Sequence, residues 1–113
     1  MIKGDVYLAA LDPSQGSEQP GARPVIIVSR DVINKISPVV IVVPLTSRAN
    51  KKKLVPSHVE IKMGDGGLPA DSVALCEQVR AISTTRLIKL LGHLTEFSIS
   101  QINASLKIAL DLP

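Results

Sequence analysis

The chain has 113 residues, 45% hydrophobic and 20% charged, enough apolar side chains for one packed domain over residues 1–113 and too many for a disordered chain. Its only aromatic residues are Tyr7 and Phe97 and its one cysteine is Cys76, which excludes a surface that stacks several bases, an internal disulfide and a cysteine-built zinc site. The net charge of +3 is uneven: residues 1–57 hold eight basic and four acidic groups, residues 58–113 five basic and six acidic, so the basic first half points to a polyanionic partner.

Residues 5–11 read as a first strand, short and apolar, with the β-formers Val6 and Tyr7. Residues 12–22 are rich in Pro, Gly, Ser and Gln and read as a loop. Residues 23–30 form a second strand, with Val25, Ile26, Ile27 and Val28 continuous and β-branched. Residues 31–37 suit one helical turn capped by Asp31. Residues 39–45 are a third strand, again apolar on both faces. Such runs belong to strands covered on both sides, as in a small barrel or a sheet with helices packed on it. The longest of them, Val39 through Val43, is far too short to cross a bilayer. With no secretory leader in view, the expectation is a cytoplasmic protein.

Residues 47–56 are polar and basic, an exposed loop. Residues 58–62 alternate Val59 and Ile61 with polar neighbours, a half-exposed strand. Gly64-Asp65-Gly66-Gly67 is a turn. Residues 72–82 read as one fifth strand, and Ser83 caps a short turn through Arg86. In residues 87–94, Leu87, Leu90, Leu91 and Leu94 fit a helix face, but Gly92 weakens a helix interior. The reading is a helical turn followed by a short strand. Thr95 caps a final helix, with Ile99, Ile102, Leu106 and Ala109 at helical spacing. The class is mainly β (α+β) with a C-terminal helix.

Three stretches carry polar groups where chemistry could sit. The first is Gly16-Ser17-Glu18-Gln19-Pro20-Gly21-Ala22-Arg23-Pro24, a loop whose glycines let backbone approach a ligand but which lacks the Gly-Lys-Ser/Thr ending of a P-loop. The second is Pro44-Leu45-Thr46-Ser47-Arg48, two hydroxyls and a guanidinium at the end of a buried strand. An antiparallel hairpin of strands two and three that pairs Arg30 with Val39 also pairs Arg23 with Thr46. That sets a permanent cation beside a hydroxyl, under the loop holding Glu18 and Gln19. The third is Cys76-Glu77-Gln78-Val79-Arg80, whose polar groups in an apolar strand need partners or a site. An ion pair of Glu77 with Arg80 or Arg23 is the structural alternative there. Lys51, Lys52 and Lys53 form a solvated basic run that would hold phosphates beside a polyanion site. His58 and His93 lack metal spacing and suit surface or packing roles. Cys76 suits a buried apolar position.

Taken in order, Gly4-Asp5-Val6-Tyr7-Leu8, Leu11-Asp12-Pro13, Gly16-Ser17-Glu18-Gln19, Gly21-Ala22-Arg23-Pro24, Val42-Val43-Pro44-Leu45-Thr46-Ser47 and Glu77-Gln78-Val79-Arg80-Ala81-Ile82 resemble the MazF/PemK/Kid family of toxin endoribonucleases. The match covers the first 82 residues closely and the rest only in general character. The resemblance implies an SH3-like, PemK-type barrel of about five to seven strands with short helices, assembled as a homodimer. It implies metal-independent, cofactor-free cleavage of single-stranded RNA at short sequences. It also implies a cognate MazE-like antitoxin, through which alone DNA would be reached, and no membrane partner.

The family's main catalytic residues fall on Arg23 and Thr46, and its acidic residues on Glu18 and Glu77. Where some relatives carry a loop histidine and a second central arginine, this chain has Ser17 and Leu75. In-line attack of a ribose 2′-OH would leave a 2′,3′-cyclic phosphate and a 5′-hydroxyl. Arg23 suits the phosphoryl charge, Thr46 adds a hydrogen bond, and Glu77, or secondarily Glu18, is the expected proton acceptor. Glu18, Gln19, Ser47 and Gln78 are the expected base readers, Ser47, Arg48, Lys51, Lys52 and Lys53 set the groove's charge, and Ser17 and Arg80 are further expected RNA-binding residues. The competing readings are a CcdB-like gyrase-binding toxin and an inactive relative that only binds its antitoxin.

Overall fold

The computed structural model describes residues 1–11 and 21–113. The described part of the chain forms seven strands: β1 (Asp5–Ala10), β2 (Ala22–Ile27), β3 (Val39–Ser47), β4 (His58–Ile61), β5 (Ser72–Leu75), β6 (Arg80–Ser83) and β7 (Leu87–His93). Two helices accompany them, α1 (Asp31–Ile36) and α2 (Glu96–Leu110). The strands follow one another as β4-β5-β3-β2-β1-β7, with β6 also paired to β3, and every pairing is antiparallel. The result is the expected mainly β, barrel-like sheet with a C-terminal helix.

Strands β2 and β3 show why the apolar runs are continuous. Val25 and Ile27 join Val40, Val42 and Ile82 in one buried cluster, while Ile26 joins Val43 and Leu45 in another, against Ile102 of α2. Both faces are therefore covered, and both faces are apolar. The second cluster is closed by α2, whose Thr95 cap accepts from Ser98 N–H at 3.2 Å as its sequence position predicts. Asp65, on the turn Asp65–Gly67, locks that start by accepting from Thr95 N–H at 2.9 Å and Ser98 Oγ at 2.6 Å. No helix among the described residues is long and apolar enough to cross a membrane.

Four expectations are corrected. Residues 72–82 are not one strand: the chain breaks at the turn Cys76–Gln78 between β5 and β6. The cause lies in β3, whose far end pairs Thr46 with Val73 of β5 while its start pairs Val42 with Arg80 of β6. Pro44, which has no N–H to give, sits between the two ladders, and the chain steps across there. Residues 87–94 hold no helical turn: the separate short turn Thr84–Arg86 is capped by Ser83 as expected, and Leu87–His93 is strand. Its leucines line no single buried face, since Leu90 is exposed. Asp31 does not cap α1: it is the first helical residue, and its carboxylate accepts from Lys3 N–H at 2.7 Å. Strand β2 stops at Ile27 because Ser29 turns inward to bond Asn34 of α1.

Candidate active site

The register of β2 and β3 is the one the sequence suggests, with Val25 opposite Pro44 and Ile27 opposite Val42. Continued by two residues, it brings Arg23 to Thr46 at the end of the sheet. Both residues line two adjoining clefts. One, of about 560 Å³, is walled by Gly21, Ser47, Asn50, Pro69 and Ser72. The other, of about 380 Å³, is walled by Leu11, Lys51, Gln78 and Arg80. Arg23, Leu45 and Thr46 form the ridge they share.

Each of these groups is held by a local cause. Thr46 lies inside β3, paired with Val73, because the strand runs two residues past Leu45. Ser47 then accepts from Ala49 N–H at 3.3 Å and starts the turn Arg48–Asn50. That turn swings Asn50 back over the strand, where its Nδ2 donates to Thr46 Oγ1 at 3.3 Å. A threonine hydroxyl that accepts from an amide keeps its own proton to donate outward. Asn50 is the site residue that the sequence reading missed: nothing in a polar loop marks one residue as the partner of a hydroxyl four positions earlier. Arg23 lies exposed at the start of β2, beside Ala9 of β1. Its guanidinium fork has no hydrogen bond to another described residue.

The other expected site residues divide. Lys51, Gln78 and Arg80 line the smaller cleft. Arg80 donates to Leu11 O at 3.4 Å, and Arg86, which the sequence reading passed over, donates to Ala10 O at 3.1 Å. Both thus hold the end of β1 against this cleft. Lys52 and Lys53 are exposed and line neither cleft. Arg48 is committed to the loop itself, pairing with Glu60 at 3.5 Å and donating to Lys51 O. Ser17, Glu18 and Gln19 lie outside the described residues.

For Glu77, the structural alternative of an ion pair with Arg80 or Arg23 is replaced by other partners. Its carboxylate accepts from Ser57 Oγ at 3.0 Å and pairs with His58 at 3.2 Å, and it lines neither cleft. Burial pushes this carboxyl up, but hydrogen bonds from its own backbone N–H, His58 and Ser57 outweigh burial and leave it below the ordinary glutamate value. His58 is packed, whereas His93 is exposed at the surface and bonded to Asp5 at 2.8 Å. Cys76 is fully buried, and burial first, with the Glu77 charge adding, raises its thiol above the ordinary value despite a bond to Ser105. A thiol of this kind is inert.

A cation, an oriented hydroxyl and amide side chains at the mouth of two clefts suit a phosphodiester with bases on either side. Comparison with known proteins decides which kind of protein this is. Residues 2–110 match the family model for the PemK-like, MazF-like toxin of type II toxin–antitoxin systems. The chain belongs to that family. It is a MazF-type toxin endoribonuclease of a toxin–antitoxin system. It is 47% identical, over 99% of its length and 92% of the relative's, to the endoribonuclease MazF of Staphylococcus saprophyticus. Among solved structures it is similar to a mycobacterial endoribonuclease in complex with its cognate antitoxin, with TM-score 0.81 and 27% identity over 100% of this chain and 97% of that one. It is also similar to a mycobacterial endoribonuclease with TM-score 0.80 and 26% identity, over 100% of this chain and 93% of that one.

Proposed function

We propose that this MazF-type toxin cuts single-stranded RNA at short sequences by metal-independent attack of a ribose 2′-OH on the adjacent phosphorus. The reaction leaves a 2′,3′-cyclic phosphate and a 5′-hydroxyl, and loss of mRNA arrests translation and growth. The observation that carries this reading is the meeting of Arg23 and Thr46 on one ridge between two clefts. A planar guanidinium with no competing partner among the described residues offers two parallel donors to the phosphoryl oxygens. Thr46, oriented by Asn50, donates a third. Charge that develops on those oxygens then meets donors already in place, which is usually the largest catalytic contribution.

Attack also needs a proton acceptor. Glu77 and Glu18 are the two carboxylates that the family resemblance brings forward. Both oxygens of Glu77 are engaged by Ser57 and His58, which favours Glu18 for this step. An arginine is a poor acceptor because its pKa lies above ~12. Glu18→Gln is therefore expected to slow cleavage and remove the acidic limb of the pH–rate profile. Gln19, Ser47 and Gln78 read exposed base edges, and Ser17 is a further residue assigned to RNA binding.

Lys51, Lys52 and Lys53 supply charge along the RNA backbone beside the smaller cleft, which Lys51 lines. Replacing all three by alanine is expected to weaken RNA binding and flatten its salt dependence, by about 0.7 in the slope of log K against log salt for each phosphate no longer neutralised. An unchanged slope would remove the lysines from the groove. The likeness to an endoribonuclease in complex with its cognate antitoxin supports a cognate MazE-like antitoxin; a homodimeric toxin and a place of action in the cytoplasm are what the family resemblance implies.

End mapping of a long RNA tests the reading. Cuts at one short recurring sequence, confined to unpaired regions, are expected. Inhibition of DNA supercoiling without RNA cleavage would replace this proposal with a gyrase-binding toxin.

A further inference from the structure

Behind the clefts, a second cluster of polar side chains meets on the turn Cys76–Gln78. Ser57 Oγ donates to Glu77 Oε1 at 3.0 Å, and His58 Nε2 lies 3.2 Å from Oε2. Val55 N–H donates to His58 Nδ1 at 3.3 Å. The ring therefore carries its proton on Nε2 and donates it to Glu77. Only 7% of the His58 side chain is exposed. With both nitrogens engaged, it is placed neither to take a proton from substrate nor to bind a metal.

The backbone ties the same turn down. Cys76 N–H donates to Ser57 O at 3.0 Å, and Val79 N–H closes the turn on Cys76 O at 3.2 Å. Pairing of His58 with Leu75 across β4 and β5 brings the two segments together. The residue after Glu77 is Gln78, and Gln78 and Arg80 line the smaller cleft together with Arg23 and Thr46. One end of this short turn is thus clamped to β4, and the other end presents side chains to the site.

We infer that Ser57, His58 and Glu77 form a clamp that positions Gln78 against the Arg23–Thr46 ridge, making Glu77 a positioning residue rather than a proton acceptor. The inference rests on the RNA-cleaving reading above. A carboxylate that accepts from two different donors fixes the rotation of the turn better than either bond alone. Loss of the clamp lets Gln78 drift, and a displacement of about 1 Å can cost ~10²-fold in rate.

The test is single-turnover RNA cleavage by the full chain and by Arg23→Ala, Glu77→Ala, Glu77→Gln, Gln78→Ala and the double variant Glu77→Ala/Gln78→Ala, with folding checked by circular dichroism. Glu77→Ala is expected to lower the rate by ~10-fold or more. The double variant should be no slower than Gln78→Ala alone, because Glu77 acts through Gln78. Glu77→Gln should stay within a few-fold of wild type and keep the acidic limb of the pH–rate profile. Its amide oxygen can accept from His58 and its NH₂ can donate to Ser57 Oγ.

Equal losses in Glu77→Gln and Glu77→Ala, with the acidic limb gone, would make Glu77 the proton acceptor and overturn the inference. Additive losses in the double variant, or a wild-type rate in a folded Glu77→Ala protein, would also overturn it. Those results leave the nuclease reading intact, since wild type still cuts and Arg23→Ala does not. A wild-type chain that cuts no RNA overturns both.

Discussion

Arg23→Ala is expected to abolish most RNA cleavage while leaving the fold intact. The side chain is exposed at the start of β2 and bonds to no other described residue, so its removal costs the sheet little. What is lost is the one guanidinium fork on the ridge between the two clefts. Removing one preorganised donor of developing charge typically costs ~10²–10³ in rate. Arg23→Lys should recover only part of that loss, because an ammonium keeps the charge but not the parallel pair of donors. Single-turnover rates at saturating RNA, with thermal unfolding run alongside, measure both effects. A cleavage rate within a few-fold of wild type in Arg23→Ala would remove this residue from the chemistry.

The second large effect falls on stability, far from the site. Gly67→Ala should unfold the protein at much lower urea than wild type, whereas Gly64→Ala should have a modest effect. Both glycines have positive φ, +73° at Gly67 and +94° at Gly64. Backbone strain from a new Cβ is therefore common to the two, of order ~1–3 kcal/mol each. They differ in what that Cβ meets. At Gly64 nothing lies within 4 Å, whereas at Gly67 the Leu91 carbonyl oxygen is 2.0 Å away and its carbon 2.6 Å away.

Those atoms are backbone of β7 and cannot rotate aside. Gly92 shows the same closeness from the other side, where a Cβ would stand 2.7 Å from Gly66 C. Opening this crossing would also pull Asp65 off Thr95 and Ser98 at the start of α2. A loss of ~3 kcal/mol or more is expected for Gly67→Ala, a large part of the ~5–15 kcal/mol that holds a domain of this size together. Equal urea midpoints for the two variants would show that the crossing of turn and strand relaxes freely.

The same crossing shows where sequence reasoning stops. Four residues of glycine and aspartate announce a turn but not the strand pressed against it. The glycine in residues 87–94 speaks against a helix, and the structure supplies the reason: only a glycine fits beside the turn Asp65–Gly67. What is legible comes from patterns that burial or capping imposes locally. The unbroken apolar runs of β2 and β3 announce strands covered on both faces. Their lengths permit the register that brings Arg23 to Thr46, and Ser83 and Thr95 announce the starts of the segments they cap.

What is not legible depends on partners distant in sequence. The break at Cys76–Gln78 follows from β3 pairing with two different strands along its two halves, which composition does not record. Glu77 is drawn to Ser57 and His58 by the pairing of β4 with β5, so a motif that places it beside Arg80 in sequence suggests the wrong partner. Asn50 reaches Thr46 only because Ser47 starts a turn that reverses the chain.

Cleavage of RNA at the Arg23–Thr46 ridge through the RNA's own 2′-OH is the step on which the proposed function stands. It is tested most directly with a short RNA containing the mapped cutting sequence, incubated with wild-type protein in EDTA. A companion RNA carries a single 2′-deoxynucleotide just 5′ of the scissile phosphate. The all-RNA strand is expected to be cut to a 2′,3′-cyclic phosphate and a 5′-hydroxyl, and the 2′-deoxy strand to survive intact. Cleavage of the 2′-deoxy strand, or products bearing a 5′-phosphate, would show attack by water instead and rule out the 2′-OH as nucleophile.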